Sequence, residues 1–134
     1  MDRVILFRGK TKSGGLYYGD LRHDEDGHCY ILGRKDFSVE VIPETVSQYT
    51  NLDDKTGKRI FEGDIIRAGE HEKSWSGKSF GHLLLVEWNG IGWTHKVLDQ
   101  YGDAQPTDYF SPNVWSKYGE VVGNKWNNPE LIKD

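Results

Sequence analysis

The chain has 134 residues, 36% of them hydrophobic and 13% aromatic, with 16 glycines, 17 basic and 21 acidic side chains and a net charge of −4. That length suits one domain with its own core, and the aromatic and glycine content suits many short strands joined by tight turns rather than helices. The charge has the wrong sign for a protein that neutralises many phosphates, and the single cysteine, Cys29, excludes an intrachain disulfide and a thiolate metal cluster.

Arg3 to Arg8, RVILFR, is an apolar run bounded by charge. It predicts a largely buried strand and is too short for a signal peptide or a membrane span, so a soluble, cytoplasmic protein with no membrane partner is expected. Leu16, Tyr17, Tyr18 and Leu21 predict a second strand, and the Asp24-Glu25-Asp26-Gly27 turn leads back through His28 to Leu32 as a hairpin. Phe37, Val39 and Val41 share one face of a further strand that Pro43 closes, and a subdomain boundary is placed there.

Glu44 to Arg67 is the segment the flanking pieces fold against. Thr45, Val46, Tyr49 and Thr50 fit a pleated surface, Asn51 to Gly57 are turn formers, and Ile60, Phe61, Ile65 and Ile66 resume the apolar pattern. Glu62-Gly63-Asp64 interrupts that second run and predicts a corner. Residues 69–79 are polar around Trp75 and predict a loop; Phe80 to Trp88 is the strongest strand, with Asn89-Gly90 as a type I′ turn and Gly92 to Leu98 as its partner. Residues 99–112 form a connection, Val114 to Val122 one or two last strands around Gly119, and Asn128-Pro129-Glu130-Leu131 a short terminal helix with Asn128 as its cap.

Few of these residues converge on chemistry. Gly9-Lys10-Thr11 and Gly77-Lys78-Ser79 imitate a phosphate-binding loop, but Val4 and Glu72 stand where its first glycine is required. His23, Asp24, Glu25, Asp26 and His28 crowd potential metal ligands together, yet a calcium-loop register would make Arg22 the first ligand, and a charged hairpin tip accounts for the run. Cys29 and His28 are adjacent in a strand and point to opposite faces, which leaves the thiol a packing role. Glu62 and Asp64 share a face and are read as bonding turn amides. Trp88 and Trp126 are expected in the core; Trp75 and Trp93 are candidates for an exposed binding surface, with Arg8, Lys10, Lys58 and Arg59.

Five blocks, FRGK at Phe7 to Lys10, YYG at Tyr17 to Gly19, ETVSQYTNLDDKTGKRIFEGDIIR at Glu44 to Arg67, VEWNG at Val86 to Gly90 and YGEVVGNKWNNPELI at Tyr118 to Ile132, follow one another in this order. On them the chain resembles the YopX family, small proteins of bacteriophages and prophages, over nearly its whole length. The resemblance implies a mostly β protein with two subdomains, oligomeric, from a phage or integrated element; it implies no activity, and no catalytic residue carries over from it.

The expected architecture is therefore mostly β: short antiparallel strands in two packed subdomains, residues 1–43 a hairpin region and 44–134 a β-barrel-like region, with residues 60–98 similar to an SH3-like barrel and a short C-terminal helix. The expected function is non-enzymatic, with no cofactor and no metal, through self-association as a homo-oligomer or through binding a host or phage protein. Two other readings stay open. One is single-stranded nucleic-acid binding by exposed aromatics with Arg8, Lys10, Lys12, Lys58 and Arg59, which the net charge disfavours; the other is a metal-assisted hydrolase using His23, Asp24 and Asp26.

Overall fold

A computed structural model describes residues 3–68, 82–98 and 113–132 of the chain. The expected loop at 69–79, with Trp75, and the connection at 99–112 lie outside the described residues. Among the described residues ten strands run in order: β1 (Phe7–Lys10), β2 (Leu16–His23), β3 (Cys29–Leu32), β4 (Ser38–Val41), β5 (Ser47–Asp53), β6 (Arg59–Phe61), β7 (Asp64–Ala68), β8 (His82–Trp88), β9 (Trp93–Val97) and β10 (Glu120–Asn124). One helix, α1 (Asn113–Tyr118), and two 3-10 turns, Pro43–Thr45 and Pro129–Leu131, complete the set. The strands make a sheet in the order β4-β3-β2-β1-β5-β6 and another in the order β10-β7-β8-β9. The fold is mostly β and antiparallel, as the turn-rich, aromatic sequence predicts.

Contacts divide the chain into residues 1–51 and 52–134, with β5 running through the division. The sequence reading put a boundary at Pro43; the strand after it, however, pairs back onto β1, with Phe7 opposite Gln48 and Arg8 opposite Ser47.

In the first unit β2 serves two neighbours in turn. Leu16 to Gly19 pair with β1 and Asp20 to His23 pair with β3, so the first half of the strand uses one edge and the second half the other. A Cβ on residue 19 would lie 2.0 Å from the Leu32 carbonyl oxygen, which is why the YYG step ends in glycine. The exit of β4 reaches the end of β1. The Ile42 N–H donates to the Lys10 carbonyl at 2.8 Å, and the Thr45 hydroxyl accepts from the Lys10 N–H at 2.9 Å while donating to the Ile42 carbonyl at 2.6 Å. Cys29, Ile31 and Val41 form the buried centre, with Phe7, Leu21, Val39 and Val46 packed round them. Cys29 is thus the packing residue the sequence predicts. Val4 and Ile5 are exposed, against the expectation of a buried first strand: the ladder begins only at Phe7, and before it the chain is held by Asn51, whose side chain bonds the Val4 N–H and carbonyl at 2.9 Å each.

In the second unit Ile60, Ile66, Ala68, Leu84, Val86 and Trp115 form the core, with Leu52, Trp93, Val97, Val114 and Val121 against it. The turn between β5 and β6 is built by Asp54. One carboxylate oxygen accepts from the Thr56 N–H (2.8 Å), the Thr56 hydroxyl (2.6 Å) and the Lys58 N–H (2.9 Å), and the other from the Val121 N–H of β10 at 2.9 Å. The Lys55 N–H donates to the Gly119 carbonyl at 2.9 Å beside it. Burial alone would raise the Asp54 pKa, but the Thr56 hydroxyl and the amides of Val121, Lys58 and Thr56 outweigh it and hold the group below the ordinary carboxylate range.

The predicted corner at Glu62-Gly63-Asp64 is present. The Phe61 N–H donates to Asp64 at 2.8 Å, as expected of a carboxylate bonding a turn amide. Gly63 has φ +87, its N–H donates to the Val86 carbonyl at 2.9 Å, and the ring of Trp126 occupies the space where a side chain would stand. The Lys125 N–H closes the arrangement on the Gly63 carbonyl at 2.9 Å.

Two local expectations are corrected. Residues 113–118, read as strand, are helical, because this turn buries Trp115 completely under the sheet while β10 starts only at Glu120. Asn128 does not cap the last turn. Its side chain instead accepts the Asn124 N–H at 3.1 Å while its own N–H donates to the Asn124 carbonyl at 2.8 Å, so Pro129–Leu131 stays a single 3-10 turn.

Two substitutions test this account. Asp54→Ala is expected to lower the unfolding free energy by roughly 2–4 kcal/mol, since buried amides lose their acceptor, and Asp54→Asn by an intermediate amount because its amide nitrogen cannot accept from Val121. The wild-type contribution is full above the ordinary carboxylate pKa and is lost as pH falls through the depressed native value, so urea melts at pH 7 and pH 3 separate it. Gly63→Ala should cost about 1–3 kcal/mol in the same melts, because an alanine Cβ at φ +87 would sit 2.5 Å from the Trp126 ring.

Candidate functional site

The tip of the β8–β9 hairpin carries two of the exposed large hydrophobic residues, Trp88 and Ile91. Leu84 pairs with Val97, Val86 with His95 and Trp88 with Trp93, so these six side chains share one face of the hairpin. Leu84 and Val86 lie in the core, at 0% and 1% exposure, but Trp88 is 51% exposed. The row of core-facing positions therefore outruns the core. Trp88 and Trp93 meet edge to face with ring centroids 5.0 Å apart, and Trp93 is half-buried against the core on its other side. This corrects the expectation of a buried Trp88: its alternation is right, and the sheet simply extends past what it covers.

The turn at this tip is a four-residue loop rather than a two-residue type I′ turn. The Asn89 N–H donates to the Gly92 carbonyl at 3.1 Å, and the Asn89 side chain accepts from the N–H groups of Ile91 and Gly92, both at 3.0 Å. Gly90 takes φ +100 and Ile91 is left at the apex, 91% exposed. An Asn-braced loop thus holds an isoleucine in water beside the Trp88–Trp93 pair.

Beneath the tip lies a pair that sequence reasoning missed. The Trp115 indole N–H donates to His95 Nδ1 at 2.9 Å, which makes that nitrogen an acceptor and puts the imidazole proton on Nε2. Burial lowers the His95 pKa to about 4, so the ring is neutral at pH 7. The legible signal is spacing alone: His95 stands between Trp93 and Val97 on the core face of its strand.

The acidic turn of the first unit brings together Asp24, Asp26 and His28, whose ligand atoms lie within 4.8 Å of one another. His23, named from the sequence with Asp24 and Asp26, sits instead on β2 opposite Cys29. Asp24 is engaged in holding the turn: it accepts from the N–H groups of Asp26 (3.0 Å) and His28 (2.8 Å), contacts the His28 ring nitrogen at 3.0 Å, and takes the Tyr30 hydroxyl at 3.4 Å. Desolvation opposes these bonds, yet together those from His28 and Asp26 hold its carboxyl below the usual range. The hairpin turn expected from sequence is present. Asp64 is buried on its own turn and Glu62 is half-buried, its pKa raised by burial with Lys125 opposing.

The remaining candidate residues are distributed between the units. Arg8 and Lys10 lie on β1, and Arg8 is 4% exposed, opposite Ser47. Lys58 and Arg59 are exposed at the β5–β6 turn, and Trp93 is on β9. Trp75 falls outside the described residues. Among the described residues no helix is long and apolar enough to cross a membrane.

Comparison with known proteins gives likenesses to a sequence family and to a solved structure. The sequence model of the YopX protein family matches residues 13–133. The crystal structure of protein EF1440 from Enterococcus faecalis is similar, with a TM-score of 0.57 and 19% identity over 98% of this chain and 100% of that one. At that identity the likeness concerns the fold. No curated protein matches the sequence.

The His95 geometry sets a titration. Its imidazole is expected to stay neutral, as the Nε2–H tautomer, down to about pH 4, against an ordinary value of 6.5, as read from ring resonances by NMR. Because the native value is depressed, the stability this group contributes is complete above 6.5 and drains away as pH falls toward 4. A ring that titrates near its ordinary value would mean that the Trp115 bond is not held in solution.

Proposed function

This chain belongs to the YopX family, and from that premise we propose that it performs no chemistry of its own and works as an association module, with the β8–β9 tip as its contact and further copies of the chain as its first partner. The observation that carries this reading is the core-facing row of β8 and β9 running out into water at Trp88, with Ile91 beyond it. Tryptophan in a rigid apolar setting is the commonest anchor of protein interfaces. The acids support the reading too, because Asp24, Asp54 and Asp64 are engaged by backbone amides and hold turns. The likeness of residues 60–98 to SH3-like barrels belongs to the same reading, as small barrels of that kind mainly bind. So does a phage or prophage protein acting in the host cytoplasm, for which the free, buried Cys29 and the family itself speak.

Light scattering on a sizing column tests the proposal. The wild-type chain should elute as a multiple of its 15.4 kDa mass, and Ile91→Glu with Trp88→Glu should shift it toward the monomer with an unchanged circular dichroism spectrum. A wild-type monomer at every concentration, or an oligomer indifferent to both substitutions, removes the tip from this role.

A further inference from the structure

We propose that Tyr17 and Phe37, with Lys12, Arg34 and Lys35 around them, form a contact for single-stranded nucleic acid on the first unit. Tyr17 comes from β2 and Phe37 from the residue before β4, two strands that both border β3. Their rings stack with centroids 5.6 Å apart and planes inclined by 30°, and they are 37% and 46% exposed. Each ring lies against a glycine, Tyr17 over Gly15 and Phe37 over Gly33, where an added Cβ would fall 3.0 and 3.1 Å from the ring. Backbone rather than side chain therefore floors the pair.

Two braced segments carry the cations. Lys12 is exposed on the loop between β1 and β2, which is tied by the Thr11 N–H to the Gly15 carbonyl at 2.9 Å, by the Gly15 N–H to the Thr11 hydroxyl oxygen at 3.1 Å, and by a 2.9 Å bond between the Thr11 and Ser13 hydroxyls. Arg34 and Lys35 lie on the turn that delivers Phe37, closed by the Gly33 N–H to the Phe37 carbonyl at 2.8 Å and the Phe37 N–H to the Arg34 carbonyl at 3.2 Å. Within that turn Lys35 and Asp36 are consecutive residues at φ 57 and 61, left-handed positions that Asn-Gly fills at lower cost. A cation is thus kept where the backbone favours glycine. Conformational cost retained at an exposed position is a mark of use.

The chemistry chooses the partner. Stacked rings alone would suit an apolar peptide, but the two turn segments beside them, residues 11–15 and 33–37, carry three cations against the single carboxylate of Asp36, which suits a ligand that alternates flat π faces with negative charge, a strand of nucleotides. The net charge of −4 gives no long-range attraction, so the contact is local, and neutralising about three phosphates sets a slope near −2 in log affinity against log salt. This proposal stands apart from the association reading, which rests on the other unit.

Fluorescence anisotropy of the full chain with a labelled oligothymidylate of about twelve nucleotides decides it, at roughly 50 and 200 mM salt. The expected affinity falls about fifteenfold over that range, and Phe37→Ala weakens binding roughly tenfold or more. Lys35→Gly separates contact from folding: it should raise the melting temperature, by relieving the left-handed residue, while weakening binding and flattening the salt dependence. The proposal is overturned if the wild type does not bind at low salt, if neither substitution alters binding, or if a duplex or an oligoglutamate competes as well as the single strand.

Discussion

A buried carboxylate that receives four donors is the constraint on which the second unit depends. Asp54 gathers the β5–β6 turn on one oxygen and reaches the first residues of β10 with the other. Strand β10 is an end strand of its sheet, paired to β7 with a register shift between Val121 and Gly123, and a short end strand of that kind has little to hold it besides its one ladder. The bonds from Asp54 and from Lys55 to Gly119 supply what the ladder lacks. From there the chain continues to Trp126, which covers the Gly63 corner at the start of β7, so the strand is anchored at both ends.

The same device recurs. Asn51 holds the residues before β1, Asp24 the β2–β3 turn, Asn89 the β8–β9 loop and Asn124 the turn after β10, in each case with a short polar side chain bonding backbone amides. Such side chains satisfy main-chain groups that short strands leave over at their ends. Their number explains why an acidic chain yields no inference of catalysis from composition: a carboxylate accepting amides has a lowered pKa and its lone pairs directed inward.

This also explains what could be read in the sequence. The turns at Asp24–Gly27 and the corner at Gly63 were legible because glycine and aspartate there answer a local backbone demand. The β5–β6 turn was legible in place but not in meaning, since Asp53 and Asp54 are indistinguishable as letters while one is exposed and the other buried. Period-two spacing put Trp88 on the core face correctly, and nothing in a strand's own pattern says where the opposite layer ends. Residues 113–118 were illegible for another reason: six residues are too few for a helical period to declare itself, and Val114 and Trp115 suit either state. The His95–Trp115 bond joins residues twenty positions apart and leaves no local trace.

Magnitudes decide what the exposed tip can do alone. Large side chains bury roughly 150–250 Å² each, so the outer half of Trp88 with Ile91 offers on the order of 200–300 Å². At about 25 cal/mol per Å² that is roughly 5–7 kcal/mol. Association itself costs an estimated 4–15 kcal/mol in lost freedom of motion, so the tip cannot hold a partner by area. It can serve as the central anchor of a face of about 800 Å² per partner. On the association proposed above, it can also repeat within a closed assembly in which each copy is held at more than one point. Both arrangements follow from one feature of this fold, strands longer than the core that backs them, and both require the apex to be stiff, which is the service that the Asn89 side chain performs.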